Sequence, residues 1–261
     1  MHPWNIAHRG GAALMPENTL AAFADALARG CDGAELDVQL TSDRVAVVHH
    51  DFRLKAGLAR KDGVWLTEPG PRIKDLSLEE LRRFDVGAAQ PGGAYAQAHP
   101  LLKPIDALIP TLEEVVTLAA SQRFLLFVEL KCDAGDDSAD PVALADAAFA
   151  VTGDRAIYVG FDWRALARIR ELGGACWFTT DRLPGELSVD ARPVIDVIAQ
   201  SGGQGWFPNF SDATPDNVAH ARARGLKVGA WTVNDLTDMH RLKDLDAICT
   251  DRPDLMAASQ G

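Results

Sequence analysis

The stretch Ile6–Asp51, IAHRGGAALMPENTLAAFADALARGCDGAELDVQLTSDRVAVVHHD, decides how this chain folds. A short strand-type run, Asn5-Ile6-Ala7, is stopped by His8-Arg9-Gly10-Gly11. Two adjacent glycines permit positive φ and let backbone N–H groups come close to an anion. Pro16-Glu17-Asn18-Thr19 then suits a helix start, with proline early and glutamate at the positive helix end. The helical stripe uses Leu20, Phe23, Ala24 and Leu27, and Gly30 is placed to end it. Ala34-Glu35-Leu36-Asp37-Val38 follows as a second strand. Its period of two sends Glu35 and Asp37 to one side and Leu36 and Val38 to the other. After the turn residues Thr41-Ser42-Asp43-Arg44, Val45–Val48 reads as a buried third strand leading into His49-His50-Asp51. The join between the second and third strands is too short for the crossover helix that parallel neighbours need. Periodicity leaves that join unassigned.

Working outward, 261 residues suit one large domain, since barrels of alternating strands and helices run to about 250 residues. An apolar fraction of 47% and a charged fraction of 24% are those of an ordinary globular protein. A net charge of −11 excludes a general nucleic-acid or anionic-membrane binder. A phosphate-bearing substrate would therefore need a local basic patch or a cation. The cysteines Cys31, Cys132, Cys176 and Cys249 form no C-x-x-C pair and read as free thiols, three of them in or beside apolar runs. No signal-like segment opens the chain and no apolar run reaches the roughly 20 residues of a membrane span, so the expected compartment is the cytoplasm.

Residues 52 to about 103 are rich in turns, with one capped helix after Ser77 that points Leu78, Leu81 and Phe84 inward. Their apolar content is too small for an independent core, so they read as an insertion over one end of the main domain. The alternation resumes with a helix after Thr111 and strand-type runs at 124–131, 157–161, 176–178, 205–209, 227–233 and 247–250. With the first three strands this makes nine candidates for an eight-strand pattern, so one stands outside the ring. The expected fold is an α/β TIM (β/α)8 barrel, residues 1–261 as a single barrel domain, with a small insertion after the third strand. A doubly wound open sheet is the alternative, but no G-x-G-x-x-G stands at a strand end.

Catalytic groups of such barrels gather at the C-terminal ends of the strands, where His8, Glu35, Asp37, His50, Glu129, Lys131, Trp231 and Asp251 fall in turn. Any one of these carboxylates could merely cap a helix or pair with a lysine; their joint placement on separate strands points to a site. Glu35, Asp37 and Glu129 form an all-oxygen set suited to a hard cation such as Mg2+ or Ca2+, with Mn2+ a further option. The competing reading makes Glu35 and Asp37 the polar face of a half-exposed strand, which the buried character of that strand opposes. His8 and His50, from different strands, suit an acid and a base on opposite sides of one phosphorus. His49 points the other way and reads as a core histidine bonded to backbone. Arg9 offers a forked phosphate donor and Lys131 a point charge.

Together these residues resemble the glycerophosphodiester phosphodiesterases, closest to the short cytosolic bacterial type. The resemblance rests on His8-Arg9-Gly10, Pro16-Glu17-Asn18-Thr19, Glu35-x-Asp37-Val38, His50-Asp51, Pro110-Thr111-Leu112-Glu113-Glu114, Glu129-Leu130-Lys131, Trp231-Thr232-Val233-Asn234 and Thr250-Asp251-x-Pro253, in family order over nearly the whole length. It implies a metal-dependent hydrolase that cleaves sn-glycerol-3-phosphodiesters, such as glycerophosphocholine and glycerophosphoethanolamine, to an alcohol and sn-glycerol 3-phosphate. It further implies catalysis by His8 and His50, metal ligation by Glu35, Asp37 and Glu129, phosphate contacts from Arg9 and Lys131, and glycerol packing on Trp231. Phe161 keeps an apolar wall, although Gly160 stands where the family often has serine, and Glu17 and Asp51 support the site. The implied route passes through a cyclic 1,2-phosphate that water opens. The expected partner is a small-molecule substrate, with no nucleic acid and no stable membrane anchoring, on a monomer or homodimer. Two other readings compete. One is a lysophospholipase D-type enzyme, for which Leu101-Leu102 and Trp65-Leu66 leave room. The other is a non-catalytic phosphodiester-binding barrel, which would be marked by the loss of a histidine or carboxylate that is here intact.

Overall fold

The computed structural model describes residues 2–120, 123–133, 135–136, 139–182 and 190–259. Its strands and helices run β1 (Trp4–Ala7), α1 (Leu20–Ala28), β2 (Gly33–Leu40), β3 (Ala46–Val48), β4 (Arg60–Lys61), β5 (Val64–Trp65), α2 (Leu78–Leu81), β6 (Phe84–Asp85), α3 (Ala94–Ala98) and α4 (Leu112–Ala119). The second half runs β7 (Leu125–Leu130), α5 (Pro141–Thr152), β8 (Ala156–Val159), α6 (Trp163–Glu171), β9 (Ala175–Thr180), α7 (Arg192–Gln200), β10 (Gly205–Pro208), α8 (Pro215–Ala223), β11 (Lys227–Ala230), α9 (Leu236–Arg241), β12 (Ala247–Thr250) and α10 (Pro253–Ser259).

Eight parallel strands close on themselves in the order β1, β2, β7, β8, β9, β10, β11, β12, and β1 pairs with both β12 and β2 to seal the ring. The ninth candidate is β3. It folds back antiparallel on β2, with Val38 opposite Val48 and Leu40 opposite Ala46, so a tight turn suffices and no crossover helix is needed. The third strand of the chain is thus outside the barrel, and the inserted segment after it lies between the second and third strands of the ring.

Two apolar layers follow from the strand period. Ile6, Phe127, Val159, Trp177, Phe207, Ala247 and Cys249 fill the inside of the ring. Ala7, Leu36, Val38, Val128 and Leu130 point outward against Phe23 of α1, Leu112 of α4 and Leu144 of α5. Each fully buried Leu or Phe of this kind contributes about 1.5–3 kcal/mol. Helix α4 starts with the expected capping box. Thr111 Oγ1 accepts from the Glu114 N–H at 3.2 Å, and Glu114 Oε2 accepts from the Thr111 N–H at 2.8 Å.

Helix α1 departs from its expected face. It begins at Leu20 with Thr19 as N-cap, and it buries Ala22, Phe23 and Ala26, leaving Leu20 and Ala24 exposed. The reason is close approach. Gly10 sits at φ +84°, and a Cβ there would lie 2.7 Å from the Ala22 Cβ. Only small residues fit where α1 meets the turn after β1, and positive φ explains the glycine without an anion.

The inserted segment carries a three-stranded antiparallel sheet, β5-β4-β6. The helix after Ser77 is a single turn, and Phe84 belongs to β6 instead of to it. Leu54, Ala59, Ile73, Leu81 and Phe84 form a buried cluster only together with Val47 of β3 and Ile109, so this core is shared with the main fold.

Candidate active site

Strand register builds the acidic centre. β2 and β7 run parallel with Asp37 directly opposite Glu129, so two carboxylates stand side by side on neighbouring strands. Glu35 is one pleat down on the same face of β2. Glu35, Asp37 and Glu129 bring carboxylate oxygens within 4.8 Å of one another. At 2% and 1% exposure, Glu35 and Asp37 are no polar face of an open strand. Glu35 Oε1 is buried without a hydrogen-bond partner. Burial raises the Glu35 carboxyl well above its ordinary range, and Asp37 and Glu129 push it further. Burial pushes Asp37 the same way, but Arg9, His50, Lys131 and Asn18 outweigh it and hold Asp37 below the usual carboxylate range. Three crowded oxygen donors, one with an orphan atom, fit a hard divalent cation.

Cations of the chain surround this centre. Arg9 Nε lies 3.3 Å from Asp37 Oδ2, and its Nη1 donates to Glu17 Oε1 at 3.1 Å. Lys131 Nζ donates to Glu129 Oε1 at 2.8 Å and lies 3.6 Å from Asp37 Oδ1. Burial lowers the tendency of both to stay charged, and the carboxylates more than restore it, so both are held as cations.

Each of the two histidines has an aspartate at Nδ1. His8 Nδ1 lies 2.6 Å from Asp251 Oδ1, with its Nε2 3.8 Å from Glu35 Oε2. His50 Nδ1 lies 3.2 Å from Asp51 Oδ1. A carboxylate there accepts a hydrogen bond from Nδ1–H, fixing the tautomer and leaving Nε2 as the working atom. Burial raises Asp251, yet the His8 bond and Asn234 bring it below its ordinary value. Asp51 is held at about 2: burial opposes this, and the His50 bond and charge outweigh it. His49 departs from the expected backbone bond: among the described residues its buried Nε2 has no partner, and burial lowers its pKa. Glu17, His50 and Asp51 also bring ligand atoms within 4.8 Å of one another. Their oxygens, however, already serve Arg9, Tyr95, His50 and Lys55.

With this arrangement in view, comparison with known proteins places the chain. Residues 8–255 match the profile of the glycerophosphoryl diester phosphodiesterase family. The chain belongs to that family. The glycerophosphodiester phosphodiesterase of Caldanaerobacter subterraneus subsp. tengcongensis is 30% identical over 96% of this chain and 95% of its own length. A crystal structure from Silicibacter pomeroyi, provisionally named as a glycerophosphoryl diester phosphodiesterase, matches with a TM-score of 0.88 at 32% identity, covering 97% of this chain and 91% of that one. An Oleispira antarctica phosphodiesterase, solved with the product sn-glycerol-3-phosphate, matches with a TM-score of 0.78 at 25% identity, covering 99% and 97%.

His8, Arg9, Glu17, Glu35, Asp37, His50, Asp51, Glu129 and Lys131 lie in linked contacts. Phe161 and Trp231 follow the C-terminal ends of β8 and β11, on the same side of the ring. Phe161 and Trp231 meet edge to face, ring centroids 5.5 Å apart, with Phe161 46% exposed. Beside Lys131 opens a cavity of about 300 Å3, walled in part by Gln39, Phe52, Arg72 and Asp136. Among the described residues no helix is long and apolar enough to cross a membrane.

Sequence reasoning assigned no role to four residues, although Asn18 and Asn234 stand inside the Pro16–Thr19 and Trp231–Asn234 motifs. Asn18 donates to Asp37 Oδ2 at 2.8 Å from a left-handed backbone, φ +57°. Gln39 Nε2 donates to the carbonyls of His49, His50 and Asp51 at 2.7, 3.3 and 3.0 Å, so β2 grips the loop that bears His50. Asn234 donates to Asp251 Oδ2 at 2.7 Å. Tyr95 donates to Glu17 Oε2 at 2.8 Å. The strand period places Gln39 on the face of Glu35 and Asp37, and motif membership marks Asn18 and Asn234, so signals were available for these. The partners of all four, and Tyr95 itself, depend on tertiary contacts.

Proposed function

We propose that the chain hydrolyses sn-glycerol-3-phosphodiesters to an alcohol and sn-glycerol 3-phosphate, with a divalent cation held by Glu35, Asp37 and Glu129. The observation that supports this reading is the meeting of three crowded carboxylates with two aspartate-backed histidines. When bound, the cation supplies charge for the phosphate oxygens and lowers the pKa of an alcohol on it. Arg9, braced by Glu17 and Asp37, and Lys131, braced by Glu129, hold the phosphate. One histidine removes the proton of the glycerol 2-hydroxyl through Nε2 as its oxygen attacks phosphorus, and the other gives a proton to the leaving alcohol. Water then opens the cyclic 1,2-phosphate to sn-glycerol 3-phosphate, with the two histidines exchanging roles. Trp231 and Phe161 form the wall for the glycerol carbons. Mg2+, Ca2+ and Mn2+ all suit the oxygen set, and the free cysteines accord with a reducing compartment such as the cytoplasm.

The test is release of glycerol 3-phosphate from glycerophosphocholine and glycerophosphoethanolamine, before and after chelation and then with each cation restored. Release should cease on chelation and return with at least one cation, and lysophosphatidylcholine should turn over more slowly than either diester. Release that ignores the chelator would overturn the metal assignment, and a preference for the lipid would overturn the substrate class.

A further inference from the structure

We propose that Tyr95, from the inserted segment, is a positioning residue that sets the phosphate-binding Arg9 through Glu17. The inference rests on the reading that Arg9 holds phosphate. Tyr95 lies on α3, far along the chain from the turn after β1, yet its hydroxyl reaches Glu17 Oε2 at 2.8 Å. The other oxygen of Glu17 accepts from Arg9 Nη1 at 3.1 Å. The three residues form one line, from insertion to acidic centre.

The line has work to do because Arg9 stands between two carboxylates. Its Nε lies 3.3 Å from Asp37 Oδ2 and its Nη1 is on Glu17, so the guanidinium position reflects a balance between a metal-binding carboxylate and a bracing one. The Arg9 backbone is already committed: φ is +51°, its N–H donates to Glu35 Oε2 at 3.2 Å, and its carbonyl accepts from the Asn18 N–H at 2.9 Å. What remains free to vary is the side chain, and Glu17 governs it. Glu17 itself lies in the turn before Thr19, outside α1, with no helix to hold it. Tyr95 occupies one of its oxygens and leaves the other for Arg9. Burial and the Glu17 charge keep the Tyr95 phenol protonated, so it stays a donor. The ring packs against His99 at 4.3 Å between centroids, which fixes the hydroxyl in turn.

The experiment compares Tyr95→Phe, Tyr95→Leu, Glu17→Ala and Arg9→Lys in the Mg2+-loaded enzyme, reading kcat and KM for glycerophosphocholine, affinity for sn-glycerol 3-phosphate, and melting temperature. Loss of one hydrogen bond to a charged group should raise KM about 10-fold in Tyr95→Phe, with kcat changed less than about 3-fold and melting nearly unmoved. Because Tyr95 acts through Glu17, adding Tyr95→Phe to Glu17→Ala should change nothing further. A wild-type KM in Tyr95→Phe, or full additivity with Glu17→Ala, would overturn the inference. So would a defect in Tyr95→Leu alone, which would make the ring a packing element. Arg9→Lys separates the two levels. If it leaves glycerol 3-phosphate affinity intact, the phosphate assignment fails; if it weakens affinity while Tyr95→Phe does not, only the Tyr95 role fails.

Discussion

In the ring, Asp37 and Glu129 are neighbours because a parallel ladder makes them so, and the packing on both faces of β2 holds them there. In the inserted segment, strands of two residues each are joined by turns, and the small cluster beneath them borrows Val47 and Ile109. The two histidines divide along the same line. His8 follows β1, its partner Asp251 follows β12, and Asn234 locks that aspartate. His50 and Asp51 adjoin each other at the start of the segment, at 3.2 Å, with exposed Lys55 on the far oxygen. A closed ring thus holds its groups by register, whereas the segment's groups are held by side-chain hydrogen bonds, those of Gln39 from β2 to the His49–Asp51 carbonyls and that of Tyr95 to Glu17.

The largest test of that contrast removes each imidazole. His8→Ala and His50→Ala should each lower kcat by about 10²–10⁴-fold while divalent cation still binds, measured by calorimetry. A variant that retains near-normal turnover would remove its histidine from the chemistry. Next, the orienting carboxylates should differ. Asp251→Asn, at the shorter and more buried pair, should cost about 100-fold in kcat, and Asp51→Asn nearer 10-fold. The reverse order would mean that the segment, not the ring, sets the more demanding histidine.

A third test uses charge. The raised carboxyl of Glu35 favours its neutral form, so its contribution to the metal-free fold is complete below its ordinary value of 4.5 and fades as pH rises toward the raised value. Asp37 acts oppositely, supporting the fold above 3.8 and losing that support in acid. The melting temperature of metal-free protein should therefore fall from about pH 4.5 toward neutrality, and added cation should recover more of it at each higher pH. Glu35→Gln should flatten the trend; an unchanged slope in that variant would place the effect elsewhere. The smallest effect lies away from the mouth, where Thr111→Ala breaks the α4 capping box and should cost about 1 kcal/mol in denaturant melts without touching kcat.

Much of this was readable before the structure. Short apolar runs, with alternation in β2, located β2, β7 and β12 to within a residue or two, because parallel strands buried on both faces read as near-continuous apolar stretches. The same alternation put Glu35 and Asp37 on one face. It failed where size mattered more than polarity: α1 turned Ala22 inward, where the close approach of Gly10 admits only a small side chain. It failed again at β3, whose apolar run looks like a ring strand and pairs backwards.

Residue order alone determined that nine strand-type runs, interleaved with helices, follow one another with polar groups at the strand ends, since that depends only on local period and turn chemistry. Which strand stays outside the ring, which aspartate backs which histidine, and that a tyrosine of the insertion reaches the turn after β1 were decided by tertiary structure. These are contacts between positions far apart in the chain, fixed by register and by the few shapes that fit together, and no local pattern encodes them.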